Sequence, residues 1–153
     1  MSLTVRLAGP ADLAAAITMD AVATHDAHRR DWLTRAFNGE TGRVARLAFL
    51  DGQPAGFAVV GDFFSNPFLD LIVTAPAARR QGVASALMAE IERVHAGLKL
   101  FVSTNVSNTV MQDLLARRGY LPSGRVDNLD PGDPELFYVR LPAPQRRLSM
   151  AKV

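Results

Sequence analysis

The sequence predicts a mixed α/β domain on three observations. Apolar runs of strand length alternate with segments of helical period, glycine and proline punctuate the joints, and no internal repeat or linker divides the chain. Leu3 to Leu7 alternates as an opening strand. Gly9-Pro10-Ala11-Asp12 breaks it and starts a helix through Ala23, with Leu13, Ile17 and Ala21 near helical spacing. His28 to Phe37 reads as a second, short helix ended by Asn38-Gly39. Arg43 to Leu50 and Pro54 to Gly61 are two strands joined at Asp51-Gly52, a strong hairpin signal. Phe68 to Thr74 is nearly continuously apolar, which predicts a strand buried on both faces. Ser85 to His95 carries Ala86, Leu87, Ile91 and Val94 on one helical stripe, and Gly97 stops it. Lys99 to Ser103 is the next strand. Asn108 suits the cap of a helix running to Arg118, and Gly119 suits the position just past its end. Tyr120-Leu121 begins a further strand, and Glu135 to Leu141 is the last.

Bulk properties narrow the function. The 153 residues are 48% hydrophobic and 21% charged, which describes one folded domain rather than a disordered chain. There is no cysteine, so disulfides, a thiolate nucleophile and cysteine-type zinc sites are excluded. Seventeen basic residues against fifteen acidic ones give a net charge of only +2, with no basic stripe interleaved with aromatics, so nucleic acid is not the expected partner. No signal-like or membrane-spanning apolar run is present, and a cytoplasmic protein is expected. The expected domain covers residues 1–142. Residues 143–153, with Pro144, Arg146, Arg147 and Lys152, are expected to form a flexible tail.

The segment Arg79-Arg80-Gln81-Gly82-Val83-Ala84 stands between the Phe68–Thr74 strand and the helix beginning near Ser85. A strand that delivers a tight loop into a helix N-terminus leaves backbone N–H groups unpaired, and the helix dipole adds about half a positive charge there. Gly82 lets backbone approach an anion, Ala84 stays small, and Arg79 and Arg80 bring formal charge. These features fit a phosphate or pyrophosphate. The Lys-Ser/Thr pair of the P-loop and the three glycines of the dinucleotide fingerprint are both missing.

The spacing Arg79-x-x-Gly82-x-Ala84 behind Pro76, with Asn108 and then Gly119-Tyr120 downstream, resembles the GNAT superfamily of acetyl-CoA-dependent N-acetyltransferases. The order β-α-α-β-β-β-α-β-α-β-β matches that family's fold over nearly the whole chain. The resemblance implies a single twisted mixed sheet of about six to seven strands flanked by helices, with two central parallel strands splayed apart, here Phe68–Thr74 and Lys99–Ser103. It implies that acetyl-CoA is the co-substrate. Gln81, Gly82, Val83, Ala84 and Ser85 would meet the pyrophosphate with Arg79 and Arg80 beside it. Backbone groups of Ile72, Val73 and Thr74 would pair with the pantetheine arm, and Asn108 would cap its helix or touch the cofactor. The implied reaction is direct attack by a primary amine of a small molecule or peptide. A non-catalytic or weakly catalytic acyl-CoA-binding domain is the alternative. Dimers are common in the family, and a homodimer is left open.

For the amine, Asp70 is the candidate general base, six residues before Pro76 in an apolar strand. Burial there would raise its pKa, whereas exposure or a salt bridge would leave it structural. Asp130, Asp133 and Glu135 stand before the last strand, either drawing a cationic amine or serving Asp-Pro and Pro-Gly turns. Many family members place a sulfur-protonating tyrosine seven residues after the helix-starting asparagine; here that position is Leu115. His25, His28 and His95 lack a third ligand, and no metal is expected. Trp32 and Phe37 are expected to pack beneath the first helices, with Phe63-Phe64 divided between core and acceptor side.

Overall fold

Turn chemistry sets the frame. The computed structural model describes residues 1–143, and the expected tail lies, from Pro144 onward, outside the described residues. Asp51 and Gly52 both adopt positive φ, at 51° and 80°, the left-handed pair of a tight hairpin. They join β2 (Val44–Leu50) to β3 (Gln53–Phe63), which pair antiparallel with a bulge at Ala48/Phe49. β1 (Leu3–Leu7) runs antiparallel to β2 from Leu3↔Leu50 to Leu7↔Arg46. With β4 (Asn66–Thr74), β5 (Leu100–Asn105), β6 (Leu121–Val126) and β7 (Glu135–Arg140), the strands form one mixed sheet in the order β1-β2-β3-β4-β5-β7-β6. The parallel register is confined to Phe68↔Phe101 and Leu69↔Val102.

By packing, the chain falls into two compact units, Met1–Asp62 with Asp70–Arg93, and Phe63–Leu69 with the chain from Val94. In the first, α1 (Leu13–Met19) and α2 (Ala27–Phe37) bury Ala16, Met19, Leu33, Ala36 and Phe37 against Ala45, Leu47, Phe57 and Val59 of β2 and β3. Phe37 meets Phe57 edge-on, with centroids 5.8 Å apart. α1 is shorter than expected. It ends at Met19 because Asp20 turns extended, its carboxylate accepting from the Val22 N–H and from Arg29. α3 (Val83–Val94) comes close to β3 because Gly56 has no side chain: a Cβ there would lie 2.6 Å from the Val73 carbonyl and 2.7 Å from Val83 Cγ1.

In the second unit, β5 and β7 pair antiparallel from Leu100↔Arg140 to Asn105↔Glu135, with β6 beyond β7. α4 (Thr109–Arg117) starts at Asn108, whose side chain accepts from the Met111 N–H at 3.1 Å, and Gly119 follows at φ 83°. Phe63 stands at the centre of a ring cluster with Phe64, Phe68, Phe101 and Phe137, at centroid distances of 4.8 to 5.6 Å. The β3–β4 turn is made by Phe64 and Ser65, both at positive φ, and Phe64 is exposed.

β4 corrects one expectation. Only Leu69 is buried and the rest of the strand is half-buried, rather than covered on both faces. Leu71, with Asp70, lines an open cleft, and an apolar sequence cannot distinguish a cleft wall from a closed core.

Candidate functional site

The predicted anion loop closes the step from β4 to α3. Ile72, Val73 and Thr74 finish β4, and the Ala75 N–H bonds the Ala55 carbonyl at 2.8 Å, fixing the strand's exit. A short 3₁₀ turn, Pro76–Ala78, follows, and the Gln81 amide donates back to the Ala77 carbonyl at 3.4 Å. Arg79 and Arg80 are exposed, and Arg80 holds φ at 62°, strained for a side-chain-bearing residue. Gly82, at φ 83°, is exposed as well. A Cβ built on it meets only Leu3 Cδ1, at 3.6 Å, so the space in front of this backbone is open. The first helical hydrogen bond runs from the Ala86 N–H to the Gly82 carbonyl. Helix geometry therefore leaves the N–H groups of Val83, Ala84 and Ser85 without intrahelical partners. No acidic residue occupies this first turn. Val83 is buried over β3, whereas Ala84 and Ser85 are partly exposed. These residues fit a diphosphate: open backbone, left-handed turns, adjacent guanidiniums and no competing carboxylate.

In the same unit, Asp70 is partnered. Arg43 Nε donates to its Oδ2 at 3.1 Å, and the Arg43 guanidinium stacks over Trp32 at 5.2 Å. Gly61 makes room for this carboxylate, since a Cβ there would collide with Asp70 Oδ2 and sit 3.1 Å from its Cγ. Burial pushes the Asp70 carboxyl above its ordinary value, and the Arg43 charge and hydrogen bond pull it back only in part. Asp70 is thus both half-buried and salt-bridged, combining the two alternatives the sequence left open.

Asp70 and Leu71 share a cleft of about 320 Å³ with Arg29 and Trp32. Trp32 packs against the core, as expected, and in addition lines the cleft. Arg29 and Arg43 are participants that sequence reasoning missed. The only signal was their place on α2 and at the entry to β2, because their acidic partners lie nine and 27 residues away. His25 and His28 are exposed on either side of Asp26, the cap of α2. Among the described residues, no cluster of three His, Asp or Glu side chains could hold a metal, and no helix is long and apolar enough to cross a membrane.

In the second unit, Asn108 is a helix cap. The acidic loop is engaged locally: Asp133 accepts from the Ser107 N–H at 3.0 Å and from its hydroxyl at 2.6 Å, and Asp130 accepts from the Asn105 amide at 2.9 Å. Leu115 is fully buried and Tyr120 nearly so.

Comparison with known proteins bears on the family and the fold. The profile of the acetyltransferase (GNAT) family matches residues 13–120. A GNAT-family acetyltransferase from Bacillus cereus ATCC 10987 is 31% identical, with a TM-score of 0.80 over 93% of this chain and 99% of its own. The ribosomal-protein-S18-alanine N-acetyltransferase of Escherichia coli shares the fold at 21% identity, with a TM-score of 0.76 over 92% and 94% of the two chains. A Bacillus anthracis str. Ames protein in complex with acetyl coenzyme A shares it at 14% identity, with a TM-score of 0.70 over 91% and 98%. No curated protein matches the sequence.

Proposed function

Because this chain belongs to the acetyltransferase (GNAT) family, we propose that it is an acetyl-CoA-dependent N-acetyltransferase that acetylates a primary amine by direct attack. The observation that carries this reading is the loop from Arg79 to Ser85, with its left-handed Arg80 and Gly82 opening directly into α3. Acetyl-CoA supplies an acetyl group activated as a thioester. Backbone N–H groups from Gly82 to Ser85, with Arg79 and Arg80, hold its diphosphate, and the peptide groups of Ile72–Thr74, beyond the β4–β5 register at Phe68 and Leu69, align the pantetheine arm. The N–H near Val73 polarises the thioester carbonyl. Asp70 takes a proton from the acceptor ammonium, its raised pKa suiting it to that exchange. The freed nitrogen then forms the new N–C bond as the C–S bond breaks. The sulfur leaves with the bonding pair and takes up, through water, the second proton that the nitrogen sheds as the amide forms, since Leu115 offers none.

Leu115 and the Arg43-bound state of Asp70 favour one second reading, an acyl-CoA-binding domain with little turnover. Calorimetry with acetyl-CoA, followed by thiol release across an amine panel, separates the two. Gly82→Val should cut acetyl-CoA affinity about tenfold or more, because a β-branched residue resists φ near +83° at roughly 1–2 kcal/mol and the loop must rearrange. Affinity equal to the parent would remove this loop from the cofactor site.

A further inference from the structure

The family reading leaves the acceptor open, and the cleft at Asp70 narrows it; the inference here rests on that reading. The cleft has a fixed layout of charge. It is lined by the Asp70 carboxylate, whose Oδ2 is taken by Arg43 and whose Oδ1 carries no hydrogen bond among the described residues. Arg29 lines it too. Its Nη1 is tied to Asp20 Oδ2 at 2.8 Å, and Asp20 is buried, so the guanidinium is held in place by one edge. Nε and Nη2 make no hydrogen bond among the described residues, and the side chain keeps about a quarter of its surface exposed, 27%. Leu71 and the indole of Trp32 line the rest.

A planar guanidinium anchored at one nitrogen still offers donors suited to a carboxylate, and its orientation is set before any ligand arrives. An amine seated at Asp70 shares this one cleft with that guanidinium, Leu71 and Trp32. A second positive charge there would meet Arg29 and Arg43 together, whereas a negative one would be met by fixed donors. A volume of about 320 Å³ is at the small end of ligand clefts and suits a single compact molecule. We propose that the acceptor is a small zwitterionic amine of amino-acid size, its ammonium at Asp70 and its carboxylate on Arg29.

The test needs no mutation at first. Thiol release is measured on the wild-type protein with acetyl-CoA and matched acceptors: amino acids, the corresponding amino-acid amides, the decarboxylated amines, and spermidine. Acids are expected to exceed their amides and amines by about tenfold or more in kcat/KM, with spermidine poorest. Arg29→Gln should raise KM for the acids about tenfold more than it raises KM for the matched amides, so that the preference for acids is lost. Arg29→Lys, which keeps the charge but not the fork, should fall between. Equal use of acids and amides, or preference for spermidine, overturns the proposal. Should no amine release thiol above background, transfer itself is refuted. Calorimetric titration of the same acids and amides then decides the cleft independently: tighter binding of the acids, lost in Arg29→Gln, sustains the charge assignment, and equal or no binding ends it.

Discussion

Replacing Gly61 by alanine puts a methyl group where the Asp70 carboxylate lies. Cγ would be 3.1 Å and Oδ1 3.4 Å from the new carbon, and Oδ2 would overlap it. The carboxylate has to swing away, breaking the 3.1 Å hydrogen bond from Arg43 Nε. A hydrogen bond to a charged group contributes roughly 1.5–3 kcal/mol. The side chains here are 19% and 29% exposed, so solvent screening puts the loss at about 1–2 kcal/mol. Gly61 is a strand residue without positive φ, so alanine also gains about 0.5–1 kcal/mol by restricting the unfolded chain. The net expectation is a destabilisation of about 0.5–1 kcal/mol in urea unfolding at pH 7. In an Asp70→Ala background the clash partner is gone, and Gly61→Ala should change sign to a gain of about 0.5–1 kcal/mol. If alanine at 61 stabilises both backgrounds alike, the carboxylate does not depend on that glycine and the account of how Asp70 is seated fails.

Three further outcomes are expected. Arg43 holds the Asp70 carboxyl down against burial, so Arg43→Gln should let it rise further. The acidic limb of the kcat/KM profile should move to higher pH, and an unmoved limb would separate Asp70 from amine deprotonation. Asp12 is held at about 2, first by its hydrogen bond from Arg6 and then by the Gly9 N–H. A folded-state pKa below the unfolded one gives stability that is full above about 4 and is lost as pH falls toward 2. Asp12→Asn should therefore flatten the acid side of the unfolding-temperature curve across that window, and an unchanged slope there would contradict the pairing. Arg46 is buried on β2 with Nη1 unpartnered, and burial is the main force lowering its pKa. Arg46→Met should be neutral or stabilising by up to about 2 kcal/mol in denaturant titration; a loss above about 1 kcal/mol would show that the charge is satisfied.

What the sequence made legible was local. The Asp51-Gly52 turn, the Asn108 cap, the Gly119 stop and the Gly82 opening each depend on residues within a few positions, and each is in place. Together with period, they gave the element order. The β3–β4 turn was legible only in outline: the strands run on to Phe63 and start again at Asn66, because Phe64 and Ser65 take left-handed backbone and the Asn66 amide donates to the Phe63 and Phe64 carbonyls. The end of α1 was hidden because Asp20 answers to Arg29, on the next helix. The cleft was hidden for the same reason at longer range: Arg43 finds Asp70, and Gly61 gives way to it, only once three strands are laid side by side. Periodicity marks which face a residue shares, but not which charge it will meet there.

Gly56 has a reach beyond its strand. It seats Val83, and Val83 is the residue through which Gly82 and Arg80 are attached to α3. A single methyl at 56 would have to lift that valine off the sheet, and the loop would ride up with it. The height of this loop above the sheet is thus set from behind, by a missing side chain 26 residues upstream of Gly82. Position 56 works as a shim, and anyone wishing to shift the loop without altering its own residues should begin there.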